Sequence, residues 1–152
     1  MKGRSLLKIL VPVSRFGLAA LFLFAAGAKL FTVREFAANL SNLVEDAWVW
    51  PVAAAVIAVE LIAAALLLWP RFARTGAALS ALILAGFAAY ALHYVYVLNG
   101  EPLECGCFGG IIASQLGVST ALRNLALIVP AAVVFFGLPR LRNAEPPEPT
   151  VA

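Results

Sequence analysis

Charge is scarce in this sequence. Lys, Arg, Asp and Glu make up 12% of 152 residues, whereas hydrophobic residues make up 63%. Soluble domains carry about 25% charged and about 45–50% apolar residues. A surface so poor in charge would aggregate in water, so lipid is the expected solvent. Catalytic and metal-ligating side chains are equally sparse, with one histidine and two cysteines. Any metal site would have to draw on two thiolates with His93 or Glu104, a thin ligand set, and no metal ligands are assigned. There is no basic patch interleaved with exposed aromatics, which sets nucleic acid aside as a partner. No internal repeat is present, and the length suits one compact domain.

Long apolar runs are abundant. Four stand out, at about residues 11–31, 51–69, 76–98 and 120–138. Each approaches the roughly 20 residues that a helix needs to cross about 30 Å of hydrocarbon. Neither their length nor their period suits barrel strands. The expected fold is an all-α membrane protein, an antiparallel four-helix transmembrane bundle spanning residues 1–142, with residues 143–152 as a disordered cytoplasmic tail. Mean hydropathy is +0.96.

Lys and Arg set the orientation. Lys2, Arg4, Lys8 and Arg15 come early, Arg71 and Arg74 lie between the second and third spans, and Arg140 and Arg142 follow the fourth. Eight of the eleven basic residues thus fall on one side, which is expected to be cytoplasmic, with both termini. The loop at residues 99–119, which carries Cys105 and Cys107, then faces the opposite, extracytoplasmic side. Residues 32–50 read as a short interfacial helix in the first outer loop. Thr32 and Glu35 form a capping-box pattern, and Phe36, Leu40, Leu43, Val44 and Ala47 recur at helical spacing. Ala26-Gly27-Ala28 resembles a signal-peptide cleavage site, but the first run is read as a retained span. Asn39-Leu40-Ser41 matches a glycosylation sequon, a short and unspecific motif.

A few residues carry the candidate chemistry. Cys105 and Cys107 lie where disulfides form and persist. A Cys-x-Cys ring is small, its strain raises the reduction potential, and Gly106 gives it backbone freedom. Redox work, metal work, a loop staple and inert thiols all stay open. Glu60 lies mid-span, where an ionised carboxylate costs at least about 2.5–3.5 kcal/mol. It is expected to face the bundle interior with a partner. Lys29 lies above it by on the order of 10 Å, so a direct pair needs tilt or a bridging water. The alternative is a lysine snorkelling to the interface. Tyr90, Tyr94 and Val97 share one face of the third span, flanked by His93, a potential proton relay or thiol activator. All these groups map to the outer half of the membrane, beneath the cysteine loop. Gly27, Gly76 and Gly86 are expected to let helices approach closely.

Three features together resemble the MauE family of methylamine-utilisation proteins, within the DoxX-like membrane group. They are Gly27-Ala28-Lys29-Leu30, Glu60 in its alanine- and leucine-rich span, and Cys105-Gly106-Cys107-Phe108-Gly109. The likeness covers about residues 10–140. It implies a four-helix bundle in the bacterial inner membrane. It also implies a role in maturing methylamine dehydrogenase, whose small subunit is rich in disulfides, beside an extracytoplasmic thioredoxin-like partner. Relatives in the wider group are linked to quinone chemistry, which makes a quinone the implied cofactor, with Tyr90 and Phe108 as candidate contacts. Carried over, Cys105 and Cys107 are the redox pair, and Lys29 and Glu60 the intramembrane polar pair. The second cysteine pair of DsbB-type oxidases is missing, so a relay must end on a partner, a quinone or a small thiol. The resulting expectation is a membrane thiol–disulfide redox component serving a disulfide-containing client. Soft-metal binding or transport, and a structural subunit of a membrane complex, are the alternatives.

Overall fold

In a computed structural model, residues 2–41, 44–97 and 118–142 are described, with the side chains of 2–5 and 142 left aside. Cys105, Cys107 and Phe108 lie outside the described residues, as do the tail from 143 and Leu43. The described residues form five helices: α1 Lys2–Phe31, α2 Val33–Leu40, α3 Asp46–Leu68, α4 Ala73–Tyr96 and α5 Val118–Arg142. Four of them, α1, α3, α4 and α5, are long and apolar enough to cross a membrane. Their Ala- and Leu-rich sequences satisfy the backbone within each helix, as hydrocarbon demands.

The four long helices close a ring. The largest contact joins α4 to α5, and α1 packs on α3 and on α5, while α3 packs on α4. Across the diagonal, α1 and α4 barely meet. Leu18, Ala19, Phe22, Ala64, Leu67, Ala77, Leu84, Ala131 and Val134, drawn from all four helices, form the central core. Large apolar side chains also point outward: Leu82 is 71% exposed, and Leu122, Ile9 and Val129 resemble it. In water such a surface would drive association, whereas in a bilayer it meets acyl chains. The chain is a multi-pass membrane protein.

The helices are longer than the apolar runs. The run opens at Val11, but α1 already begins at Lys2 and passes through Pro12. An apolar run marks hydrocarbon depth, not helix length, and a helix continues into the headgroup layer while its backbone stays bonded. Likewise α3 starts at Asp46, five residues before Pro51. Near a helix start proline leaves few partners unbonded, so Pro51 does not open the helix.

Residues 32–50 are not one helix. Only Val33–Leu40 forms α2, and Asp46–Trp50 is the opening of α3. The Thr32–Glu35 capping box is absent as well. Thr32 makes no side-chain cap bond. Its hydroxyl donates back to the Ala28 carbonyl at 3.0 Å, because α1 ends only one residue earlier and offers that carbonyl first. The expected apolar face is real in part. Phe36, Ala37 and Leu40 are buried against Val49 and Ala53 of α3, while Ala47 is exposed.

Of the three glycines expected at close approaches, only Gly76 makes one. A Cβ there would lie 2.7 Å from the Leu67 nitrogen and 2.9 Å from the Leu66 carbonyl carbon. At Gly27 and Gly86 it would meet nothing within 4 Å. Gly137 is a close approach that the sequence reading passed over, with Val11 Cγ2 2.5 Å from the same point. The difference lies in which face each glycine presents, and an all-round apolar helix does not reveal that face.

Candidate functional site

Lys29 and Glu60 form a buried ion pair. The ammonium Nζ donates to both carboxylate oxygens, at 2.7 Å to Oε1 and 3.0 Å to Oε2. Their side chains are 0% and 1% exposed. No bridging water is needed, although Lys29 stands two residues from the end of α1 and Glu60 fourteen from the start of α3. The reason is side-chain direction. Contacts along the two helices run in opposite order, since Arg15 meets Leu67 and Leu68 while Lys29 meets Glu60. A helical side chain leans toward its own helix's N-terminus. Lys29 therefore leans down toward Glu60, and Glu60 leans up toward Lys29. Two long side chains close the depth difference that counting residues leaves open.

Two aromatic rings complete the enclosure. Nζ of Lys29 lies 5.6 Å from the Phe36 ring centre and 5.4 Å from that of Phe87. A cation this close to ring faces is attracted by their quadrupoles. Phe36 comes from α2 and Phe87 from α4, so the pair ties four of the five helices together. The sequence reading flagged both charges and missed both rings. Phenylalanine is common in lipid-facing helices, and nothing in its spacing singles these two out. Phe87 also lines an apolar groove of about 310 Å³ between α3 and α4, with Ala55, Val56, Val59, Ile83 and Gly86.

The other candidates stand apart from the pair. Tyr90 and Tyr94 stack edge to face at 6.4 Å, with an interplanar angle of 60°. They pack with Ala88, Ala91 and Ala121 at the α4–α5 contact. His93 is exposed on the last turns of α4. The polar set expected at one depth is thus divided: Lys29 with Glu60, Tyr90 with Tyr94, and His93 on the surface.

Arg15 has a role the sequence did not reveal. Its Nε donates to the Leu67 carbonyl, and its Nη2 to the Leu68 carbonyl at 2.6 Å. These are last-turn carbonyls of α3, which have no partner within their own helix. A guanidinium satisfies them and complements the negative end of the helix dipole. The arginine read as a topology charge therefore also caps a helix. In the same region Ser80 Oγ donates to the Gly76 carbonyl at 2.8 Å, and the Arg74 guanidinium sits 4.4 Å from the Phe135 ring centre.

Comparison with curated proteins and with solved structures gives no match. The sequence profile of the family described as "Methylamine utilisation protein MauE" does match, over residues 7–137, which take in Lys29, Glu60, Cys105 and Cys107. With most of the chain matched, this protein belongs to the MauE family.

Proposed function

We propose that this protein is a membrane thiol–disulfide component of methylamine utilisation, acting through Cys105 and Cys107 on an extracytoplasmic client or thioredoxin-like partner. Family membership carries the reading, because the matched region includes the Cys105-Gly106-Cys107 run. The chemistry is exchange. A thiolate attacks a disulfide sulfur and forms a mixed disulfide. The second thiolate of the same dithiol then attacks the first sulfur and displaces the partner's sulfur as a thiolate, so that one dithiol is oxidised as one disulfide is reduced. Turnover needs a further acceptor or donor of two electrons and two protons, either the thioredoxin-like partner or a quinone. His93 and Arg123 are the side chains proposed to favour the thiolate. Tyr90 and Phe108 are the proposed contacts for a quinone.

In this reading the helices form an antiparallel bundle, a single domain over residues 1–142, in a bacterial inner membrane. Both termini and the tail from 143 lie in the cytoplasm. Eight of eleven basic residues on one side support that orientation. The reversed order of the α1–α3 contacts supports the antiparallel arrangement. Exposed Trp48 and Trp50 beside α2 suit the headgroup level, which makes α2 an interfacial helix. Lys29 and Glu60 anchor the bundle beneath the cysteine loop, and a proton passed between them leaves the pair's net charge unchanged.

The test replaces both cysteines by serine. Thiol oxidation of the client should be abolished while the bundle still assembles and unfolds as the parent does. Normal client disulfide formation in that variant overturns the proposal. Mixed disulfides trapped in membranes with Cys105 or Cys107 singly replaced identify what is bound.

A further inference from the structure

A second polar cluster lies at the start of α5. Thr120 and Asn124 are 2% and 4% exposed, the only buried polar side chains among the described residues of that helix. They stand four residues apart, and so share a face. Between them is Arg123, with its Nε and Nη2 buried. The carboxamide Nδ2 of Asn124 has no hydrogen-bond partner among the described residues. A buried donor left unmatched is costly, so this amide calls for an acceptor.

The surroundings define what that acceptor is. Neither α4 nor α5 contains an Asp or Glu. The cluster offers a guanidinium, a carboxamide, a hydroxyl and the N-terminal end of a helix, whose dipole is positive there. Helix starts of this kind attract phosphate, and a guanidinium fork matches phosphate oxygens in pairs. Arg123 and Asn124 both lean toward the helix's N-terminal end, and so toward the level of Thr120. Depth agrees as well. With 25 residues, α5 is about 37 Å long at 1.5 Å per residue, longer than a hydrocarbon core of about 30 Å. Its opening turns therefore reach the phosphate layer of a bilayer. On the opposite face of the same turns Leu122, Leu125 and Val129 are 67%, 47% and 63% exposed, which sets the start of α5 against the bilayer.

We propose that Arg123 and Asn124, with Thr120, form a binding site for a phosphate group, supplied by a membrane phospholipid headgroup or by free phosphate. The site shares Arg123 with the proposed thiolate surroundings, but phosphate binding is read without any thiol chemistry and whichever leaflet the α5 start occupies. The experiment uses the full chain purified in mild detergent, with native mass spectrometry counting retained lipid. Phosphatidylglycerol is titrated into the parent, Asn124→Leu, Arg123→Lys and the double variant Arg123→Met/Asn124→Leu. Arg140→Met serves as a control for general charge.

The parent should retain one phosphatidylglycerol. The double variant should bind at least about tenfold more weakly, as expected on losing charge-assisted bonds. Arg123→Lys, which keeps charge but loses the fork, should fall between them, and Arg140→Met should match the parent. Displacement by millimolar inorganic phosphate assigns the site to the free anion, and retention assigns it to the lipid. Equal binding by the parent and by the double variant, with an unchanged melting profile, overturns the proposal. Should the double variant fail to fold, equal binding by the parent, Asn124→Leu and Arg123→Lys overturns it alone.

Discussion

Lys29 and Glu60 illustrate how one residue's environment fixes another's. Each charge alone, sunk in the bundle, would cost several kcal/mol. Together, in a two-bonded geometry at 2.7 and 3.0 Å, they nearly offset that cost. Removing one partner should therefore be worse than removing both. Lys29→Met or Glu60→Leu is expected to lose about 3–5 kcal/mol of stability. The double variant, which leaves no orphaned charge, should recover a large part of that loss. Unfolding midpoints in detergent, arranged as a double-mutant cycle, read this directly, and simple additivity of the two losses would refute it. Glu60 was legible in the sequence because a carboxylate in an apolar run has few explanations. Its direct contact with Lys29 was not, because residue counting measures backbone depth and ignores the opposed lean of the two side chains. Phe36 and Phe87 were not legible either. An aromatic gains meaning only from the cation it faces.

At the scale of the helix, the decisive features are places where backbones meet. At Gly76 the start of α4 presses on the last turns of α3, with Leu66 and Leu67 backbone atoms under 3 Å from where a Cβ would stand. Backbone cannot step aside as a side chain can. Gly76→Ala should destabilise the bundle by about 1–3 kcal/mol, the usual cost of overpacking. Gly86→Ala should be neutral or stabilising by up to about 1 kcal/mol, because it improves helix propensity and fills open space. Thermal unfolding of the two variants side by side checks the contrast, and an equal response of both would contradict the packing described here. Composition alone made these glycines equivalent, since hydropathy has no angular signal in a helix that is apolar on every side. The same blindness hid Gly137 against Val11, and Arg15 as the cap of α3. The amphipathic α2 was legible because polar Arg34 and Glu35 break its apolar pattern and mark its buried face at Phe36 and Leu40.

For the whole molecule, the sequence established four spans because each apolar run meets the single demand of a hydrocarbon layer, length without charge. It overshot on residues 32–50, which fold as α2 and the opening of α3 and not as one helix. Sidedness is what joins this architecture to the proposed chemistry. The turn between α3 and α4 carries Arg71, and Arg74 lies in the first turn of α4. The segment between α4 and α5 leaves from the other end of α4, and its residues 98–117 contain both cysteines and no Lys or Arg. A positive charge is held back on the cytoplasmic side during insertion, so these two connections should lie on opposite faces. Disulfide exchange with a secreted client then follows only if the sulfurs lie outside. After mild reduction of intact cells, a thiol reagent that cannot cross membranes should label Cys105 and Cys107 without permeabilisation. A cysteine placed at Arg71 in the Cys105→Ser/Cys107→Ser background should stay unlabelled until the membrane is opened. The reverse pattern would put both sulfurs in a reducing compartment and leave the thiol–disulfide proposal without a client to act on.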